Sequence, residues 1–175
     1  DGMIVESPDG KIVFIDGGDN KLFARHAAAR YQYANSSDTN PMDVEAIIIT
    51  HGDADHFEGL NELRKCETNK VKRKRLFVHP KRVYHNGLVK CSQKVNGQTV
   101  SDTKRLGKTV KKNGNTYITD LYEDTRDAPA KAQNSSFKAW HTTLDHWEAR
   151  AGQPIPLKRL AYGMKENEVF DFFEQ

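Results

Sequence analysis

Four side chains of metal-binding type lie within six residues of one another in the stretch THGDADHFEG: His51, Asp53, Asp55 and His56. Imidazole and carboxylate together suit borderline or hard divalent ions such as zinc, manganese or iron, and adjacent ligands on a tight loop can serve two nearby ions. One His or one Asp in this position would simply indicate a solvated turn. Two of each, directly after an apolar run, predict a metal site.

The segments on either side of this cluster predict a strand and a helix. Residues 46–50 form a short β-branched run, which is typical of a buried strand. Apolar residues spaced at i, i+3 and i+6 from Phe57 predict a helix over about 57–65. The cluster is therefore predicted on a loop at the carboxyl end of a strand, where α/β sheets place their functional groups. Asp55, near the helix N-terminus, is favoured there by the helix dipole.

The rest of the chain alternates between strand-like and helix-like segments. The strand at 12–15 is continuously apolar, which predicts a sheet covered by helices. Periodicity and turn residues predict these further elements: a hairpin turning at Asp9-Gly10, helices over 21–33, 99–111 and from Ser135 or Ser136 to Gly152, and strands over 76–80, 116–121 and within 156–163. The predicted class is α/β (α+β).

Length and composition set limits on the class of protein. The 175 residues fit one domain, and 37% hydrophobic with 29% charged residues indicate a globular fold rather than disorder. A net charge of +3 does not by itself call for a polyanionic partner. Cys66 and Cys91 have no metal-type spacing and are interpreted as ordinary thiols. No apolar run approaches the roughly 18 residues of a membrane span. Compartment and oligomeric state are not indicated.

The stretch THGDADHFEG resembles the signature of the metallo-β-lactamase superfamily, whose usual form is His-x-His-x-Asp-His. The preceding hairpin, IVESPDGKIVFIDGG, and its spacing to the motif are similar too, so the likeness covers about residues 1–65. Asp53 stands where a second His is usual. The same departure occurs in the soluble hydrolase branch of ComEC-type DNA-uptake proteins, which this chain resembles.

The resemblance implies a fold and a set of roles. The fold is a four-layer αββα sandwich, expected to be incomplete in residues 1–175, which are interpreted as a single domain from a longer protein. His51 and Asp53 would bind one divalent ion, Asp55 and His56 a second, and Asp55 would also accept a proton from the shared water. Asp16 would support the site without binding metal. The ions would be zinc or manganese, and the carboxylate of Asp53 is expected to favour the harder manganese or magnesium over zinc.

The ligands that this family takes from its second half are not evident before Gln175. His79 and His85 are the best internal candidates, although they are more simply interpreted as a surface or half-buried pair. Tyr84, His85 and Lys81 are candidates for contacting an anionic group of a substrate. His141 and His146 are five residues apart on a predicted helix, do not share a face, and are not expected to bind metal.

A basic run at residues 70–75 is open to two interpretations. Clustered Lys and Arg attract nucleic acid without sequence preference. Charge runs beside a strand are more often solvated faces or protection of a sheet edge.

Three functions remain open from the sequence. The main hypothesis is a hydrolase that uses water activated by two ions on phosphodiester or nucleic-acid-like substrates, with a small molecule also possible as substrate. A second keeps the fold but cleaves carboxylic esters, thioesters or lactams. A third is a binding module with an incomplete metal site and no catalysis.

Overall fold

The computed structural model of the chain describes residues 1–31, 36–131 and 133–165. Its largest sheet has five strands, β1 (Gly2–Glu6), β2 (Ile12–Asp16), β4 (Ala46–Ile48), β6 (Val83–His85) and β11 (Leu157–Arg159), in that spatial order. Strand β1 is antiparallel to β2, whereas β2, β4, β6 and β11 run parallel. The carboxyl ends of the parallel strands therefore meet at one edge of the sheet.

The remaining strands form three two-stranded pairs. Strands β3 (Met42–Val44) and β5 (Val78–Pro80) pair in parallel, β7 (Val89–Val95) pairs with β8 (Gln98–Leu106), and β9 (Lys108–Lys112) pairs with β10 (Asn115–Asp120). The helix predicted over 99–111 is wrong, because this segment is β8 and β9.

Two Asn-Gly turns explain the hairpins in place of that helix. Asn96 and Gly97 have φ values of 51° and 80°, and Asn113 and Gly114 have 52° and 79°. Asn and Gly adopt positive φ most readily, and two such residues in succession make the tight turn whose twist matches paired strands. The signal is present in the sequence as NG, flanked by β-branched residues.

Three helices pack on the main sheet: α1 (Leu22–Arg30), α2 (Ala54–Cys66) and α3 (Ser135–Ala151). The helix predicted over 21–33 ends at Arg30, and residues 32–33 of that prediction lie outside the described part of the chain. The cap of α3 is Asn134, whose side chain accepts from the backbone N–H of Phe137, instead of Ser135 or Ser136. The helix ends at Gly152, as predicted, and this glycine adopts the left-handed conformation.

The helices lie on one face of the sheet, where most of the apolar core is found. Fully buried members of this core include Phe14, Ile47, Phe57, Leu60, Leu144 and Trp147. The opposite face carries a smaller buried cluster, Val13, Ala46, Ile48 and Tyr84. A sheet with helices on one face is consistent with part of the expected αββα sandwich, and the mixed α/β class is confirmed.

Among the described residues, every helix is too short or too polar to cross a lipid bilayer.

Both cysteines are free and buried, and burial raises the pKa of the Cys66 thiol to about 11. Cys66 therefore packs as a small apolar side chain at the end of α2.

A buried carboxylate joins α2 to α3. Glu67, directly after α2, accepts hydrogen bonds from His146 Nε2 at 2.7 Å, from Trp147 Nε1 at 3.3 Å and from an Arg150 guanidinium nitrogen at 2.8 Å. The side chains of Glu67 and Arg150 are only 4% and 9% exposed. Because each charge needs the other in this setting, the contact holds α3 against the end of α2.

Removing this carboxylate should cost stability. We expect Glu67→Ala to lower the free energy of unfolding by about 3 kcal/mol, because Arg150 would stay buried without its partner. Glu62→Ala, which removes the partner of the exposed Lys65, is the control and should change the free energy of unfolding by less than about 0.5 kcal/mol. Urea unfolding followed by circular dichroism measures both, and equal losses in the two variants would contradict the assignment.

Candidate metal centre

The predicted ligands lie at the edge where β2 and β4 end. Asp16 is the last residue of β2, and His51 follows β4 on the short loop that leads into α2. The predicted order of strand, loop and helix is right, but α2 starts at Ala54 instead of Phe57. Asp55 and His56 therefore project from the first helical turn, and Asp53 occupies the N-cap position directly before it.

A close contact between glycines brings α2 against the end of β2. The N–H of Gly59 donates to the carbonyl of Gly18 at 2.8 Å, and the N–H of Gly17 donates to the carbonyl of His56. A Cβ atom at Gly59 would lie 1.8 Å from the carbonyl oxygen of Gly17. Only glycine permits this approach, and the approach places His56 beside Asp16.

Asp16 binds both segments of the site through one buried carboxylate. Its Oδ1 accepts from the backbone N–H of Thr50 at 2.9 Å, and its Oδ2 accepts from the Thr50 hydroxyl at 2.7 Å and from His56 Nδ1 at 2.8 Å. Its φ is 56°, a left-handed conformation that Asp tolerates better than most residues. Backbone strain of this kind is concentrated at functional sites.

These hydrogen bonds determine which nitrogen of each imidazole carries the proton. The Thr50 hydroxyl has one proton, which it donates to Asp16, so it accepts from His51 Nδ1 at 3.0 Å. His56 Nδ1 faces a carboxylate oxygen and is likewise the donor. In their neutral forms both imidazoles therefore keep the proton on Nδ1 and present the lone pair of Nε2, the form in which His binds metal.

Each Nε2 atom faces a carboxylate oxygen. His51 Nε2 lies 3.8 Å from Asp53 Oδ2, and His56 Nε2 lies 3.6 Å from Asp55 Oδ2. Two ligands of one tetrahedral zinc ion, with bonds of about 2.1 Å, stand about 3.4 Å apart. Since a lone pair and a carboxylate oxygen repel each other without a cation, the donor chemistry of both pairs fits a divalent ion.

The geometry divides the four donors into two pairs instead of one cluster. The pairs, His51 with Asp53 and His56 with Asp55, are those that the resemblance implies, and the two imidazole centroids are 3.7 Å apart. Within the described part of the chain, no three His, Cys, Asp or Glu side chains are placed to hold one ion together. Each ion would thus have two of these side chains as ligands.

Sequence reasoning missed two residues at this site. Thr50 lies inside the quoted motif, and its position between a strand end and a ligand His was a usable signal. Lys90, on β7, lies with Nζ 2.7 Å from Asp53 Oδ1 and is 7% exposed. It comes from a polar segment far from the motif, and no sequence pattern marks it.

Two of the predicted substrate contacts, Tyr84 and His85, are buried in β6, at 2% and 5% exposed. His85 Nε2 donates to the carbonyl of Glu123 at 2.8 Å, and Nδ1 accepts from the N–H of Gly87 at 3.0 Å. Burial lowers the pKa of His85. Both ring nitrogens are thus engaged, and the contacts support β6 and the loop after it.

The third predicted contact, Lys81, precedes β6 and so lies at the opposite edge of the sheet from the ligand pairs. It forms ion pairs with Glu45 and Asp43, and the hydrogen bond that its ammonium donates to Glu45 raises its pKa. His79 also contacts Asp43, at 3.1 Å. The basic run at 70–75 follows the far end of α2, about 20 Å along that helix from the site. The structure does not bring these residues to the ligand pairs.

Removing the Thr50 hydroxyl should weaken metal binding. We expect Thr50→Val, which keeps the shape, to lower zinc affinity about tenfold, because His51 loses the acceptor that holds its proton on Nδ1. Thr50→Ser keeps the hydroxyl and should bind like the wild type. Isothermal titration calorimetry with zinc measures both variants, and equal affinities for Val and Ser would refute the role given to the hydroxyl.

Comparison with known proteins gives one match. The family model of the metallo-beta-lactamase superfamily matches residues 2–85, a range that runs from β1 to the end of β6 and includes both ligand pairs. The resemblance is thus confirmed at the level of the superfamily for just under half of the chain. No curated protein and no solved structure matches.

Proposed function

We propose that this chain is a metal-dependent hydrolase whose substrates are phosphodiesters or nucleic acids, as in the ComEC-type branch that it resembles. The observation that carries the proposal is the pair of imidazoles with Nε2 lone pairs directed at carboxylate oxygens 3.6 and 3.8 Å away. The superfamily match, whose members are mostly hydrolytic metalloenzymes, supports the same reaction class.

Each residue has a role that follows from its contacts. His51 and Asp53 would hold one divalent ion, and Asp55 and His56 the other, with Asp16 and Thr50 orienting the imidazoles. Bound zinc or manganese would supply a water of lowered pKa and charge neutralisation at the attacked centre. Asp55, whose side chain is 66% exposed, can reach both solvent and substrate and would accept the proton of the attacking water.

The distribution of charge supports a polyanionic substrate. Residues 98–120 hold five basic and two acidic residues, so the other residues hold 22 of each sign and this segment accounts for the whole net charge of +3. Two contacts join this segment to the region of the site. The backbone N–H of Tyr122, just after β10, donates to the carbonyl of Gly87, and β7, which pairs with β8, carries the Lys90 that contacts Asp53.

The tip of the β9–β10 hairpin combines cations with an aromatic ring. Lys111 and Lys112 are exposed, and Tyr117, 51% exposed, lies opposite Val110 in the pairing. Because side chains alternate along a strand, Lys112 shares a face with Val110 and Tyr117. A basic strand with an exposed aromatic ring suits single-stranded nucleic acid, whose bases stack on such rings.

The reaction class can be tested with two chromogenic substrates. With zinc or manganese, the chain should hydrolyse bis(p-nitrophenyl) phosphate, and Asp55→Ala/His56→Ala should lower kcat/KM by about 100-fold or more. Asp9→Ala, in the exposed β1–β2 turn, is the control and should leave it unchanged. Cleavage of p-nitrophenyl acetate alone would instead support the ester, thioester or lactam hypothesis.

The hairpin can be tested by salt dependence. Binding of a labelled single-stranded oligonucleotide, followed by fluorescence anisotropy at increasing KCl, should weaken with salt. Lys111→Ala/Lys112→Ala should reduce the slope of log affinity against log salt by about 1.4. Lys70→Ala/Lys72→Ala, in the basic run beyond the far end of α2, should leave the slope unchanged, and the reverse ranking would refute the hairpin assignment.

The non-catalytic binding module is favoured by one observation, the absence of three donors around one ion among the described residues. The two functions differ in metal content. Stoichiometric metal in the intact protein that is lost in Asp55→Ala/His56→Ala would exclude the binding module with an incomplete site.

A further inference from the structure

Lys90 places a buried cation beside one of the ligand pairs. Its Nζ lies 2.7 Å from Asp53 Oδ1, while the other oxygen of the same carboxylate, Oδ2, faces His51 Nε2 at 3.8 Å. An ammonium and a carboxylate oxygen at this distance form an ion pair, and the lysine side of this pair is buried. Asp53 therefore has one oxygen engaged by Lys90 and one directed at the position between itself and His51.

We propose that Lys90 is a positioning residue that balances the charge of Asp53 and restricts it to a single metal-binding oxygen, and so sets which ion the His51–Asp53 pair prefers. The inference rests on the proposed function, because it concerns the same metal pairs. Lys90 would act only through Asp53 and would contact neither the substrate nor the ion.

The backbone contacts and the burial of Lys90 limit where its ammonium group can lie. Its side chain is 9% exposed, against 36% for Asp53. The backbone carbonyl of Lys90 accepts a hydrogen bond from the N–H of Asn134 at the start of α3. The backbone of the next residue, Cys91, forms an isolated antiparallel β-bridge with Gln133. An ammonium group that left the carboxylate within this buried setting would lose the compensation for its lost hydration.

The charge count of the two pairs is then unequal. With Lys90 included, the His51–Asp53 pair carries no net charge, whereas the His56–Asp55 pair keeps one negative charge. The sequence alone predicts that Asp53 makes its site more anionic and so favours manganese. That prediction does not count the positive charge of the Lys90 ammonium. The balanced pair resembles a set of neutral ligands, which favours zinc over the harder manganese.

The test compares zinc and manganese affinities by isothermal titration calorimetry on the intact 175-residue chain. Because the His51–Asp53 pair carries less negative charge than the His56–Asp55 pair, we expect it to give the weaker of two binding events. Lys90→Met should strengthen manganese binding at this weaker event by about tenfold, with a smaller gain for zinc, because Asp53 recovers its charge and its second oxygen. Lys90→Arg keeps the charge and should preserve the wild-type preference. Lys94→Met, an exposed lysine on the same strand, should change nothing.

A background variant tests whether Lys90 acts through Asp53. In Asp53→Asn, the pair would carry the uncompensated charge of Lys90, so the weaker binding event should be lost for both ions, and adding Lys90→Met should restore part of it. Should Lys90→Met alone fail to fold, Asp53→Asn in the intact chain still decides, since an unchanged weaker event there overturns the inference.

The remaining outcomes separate the two proposals. A merely structural role for Lys90 would weaken zinc and manganese alike in Lys90→Met, and that result overturns the inference, as does unchanged binding of both ions. Ion binding with the expected Lys90 effect but no hydrolysis of either chromogenic substrate would reject the proposed function and support the inference. Absence of any ion binding in the wild type would overturn both.

Discussion

The candidate metal centre depends on the carboxylate of Asp16. This group receives three hydrogen bonds, two from Thr50 and one from His56, and so joins the end of β2 to the end of β4 and to the first turn of α2. Without it, neither imidazole would have a determined tautomer. The left-handed backbone of Asp16 and the close glycine contact between β2 and α2 are locally unfavourable. Both are needed to place Asp16 beside Thr50 and His56, and the hydrogen bonds of its carboxylate compensate for them.

The part of the molecule around the motif could be predicted because its signals are local. A β-branched run, an Asp-Gly turn and apolar residues at helical spacing give β1, β2, β4 and α2 directly. The segment over 99–111 is mistaken for a helix because its residues are mostly polar, which removes the periodicity on which the prediction depends. In the structure, β9 and β10 are exposed along their whole length. Their Asn-Gly turns were the stronger signal.

The arrangement of the site was less predictable than its composition. The residue types of His51, Asp53, Asp55 and His56 indicate metal chemistry from the sequence alone, but their division into two pairs is implied by the family resemblance and not by the residue types. The contact of Lys90 with Asp53 joins a strand residue to a loop residue far away along the chain. A single sequence contains no local pattern that predicts such a contact. Likewise, His85 reads as a polar residue available for binding, whereas the sheet order buries it in β6.

The partners of Asp16 are 34 and 40 residues away along the chain, which has a thermodynamic consequence. An unfolded chain cannot hold these groups together, so the arrangement of donors exists only in the native state. A divalent ion that binds it would therefore bind native molecules in preference to unfolded ones, and mass action would raise the melting temperature with ion concentration. The same carboxylate would thus couple the conformational equilibrium of the chain to the free metal in its surroundings.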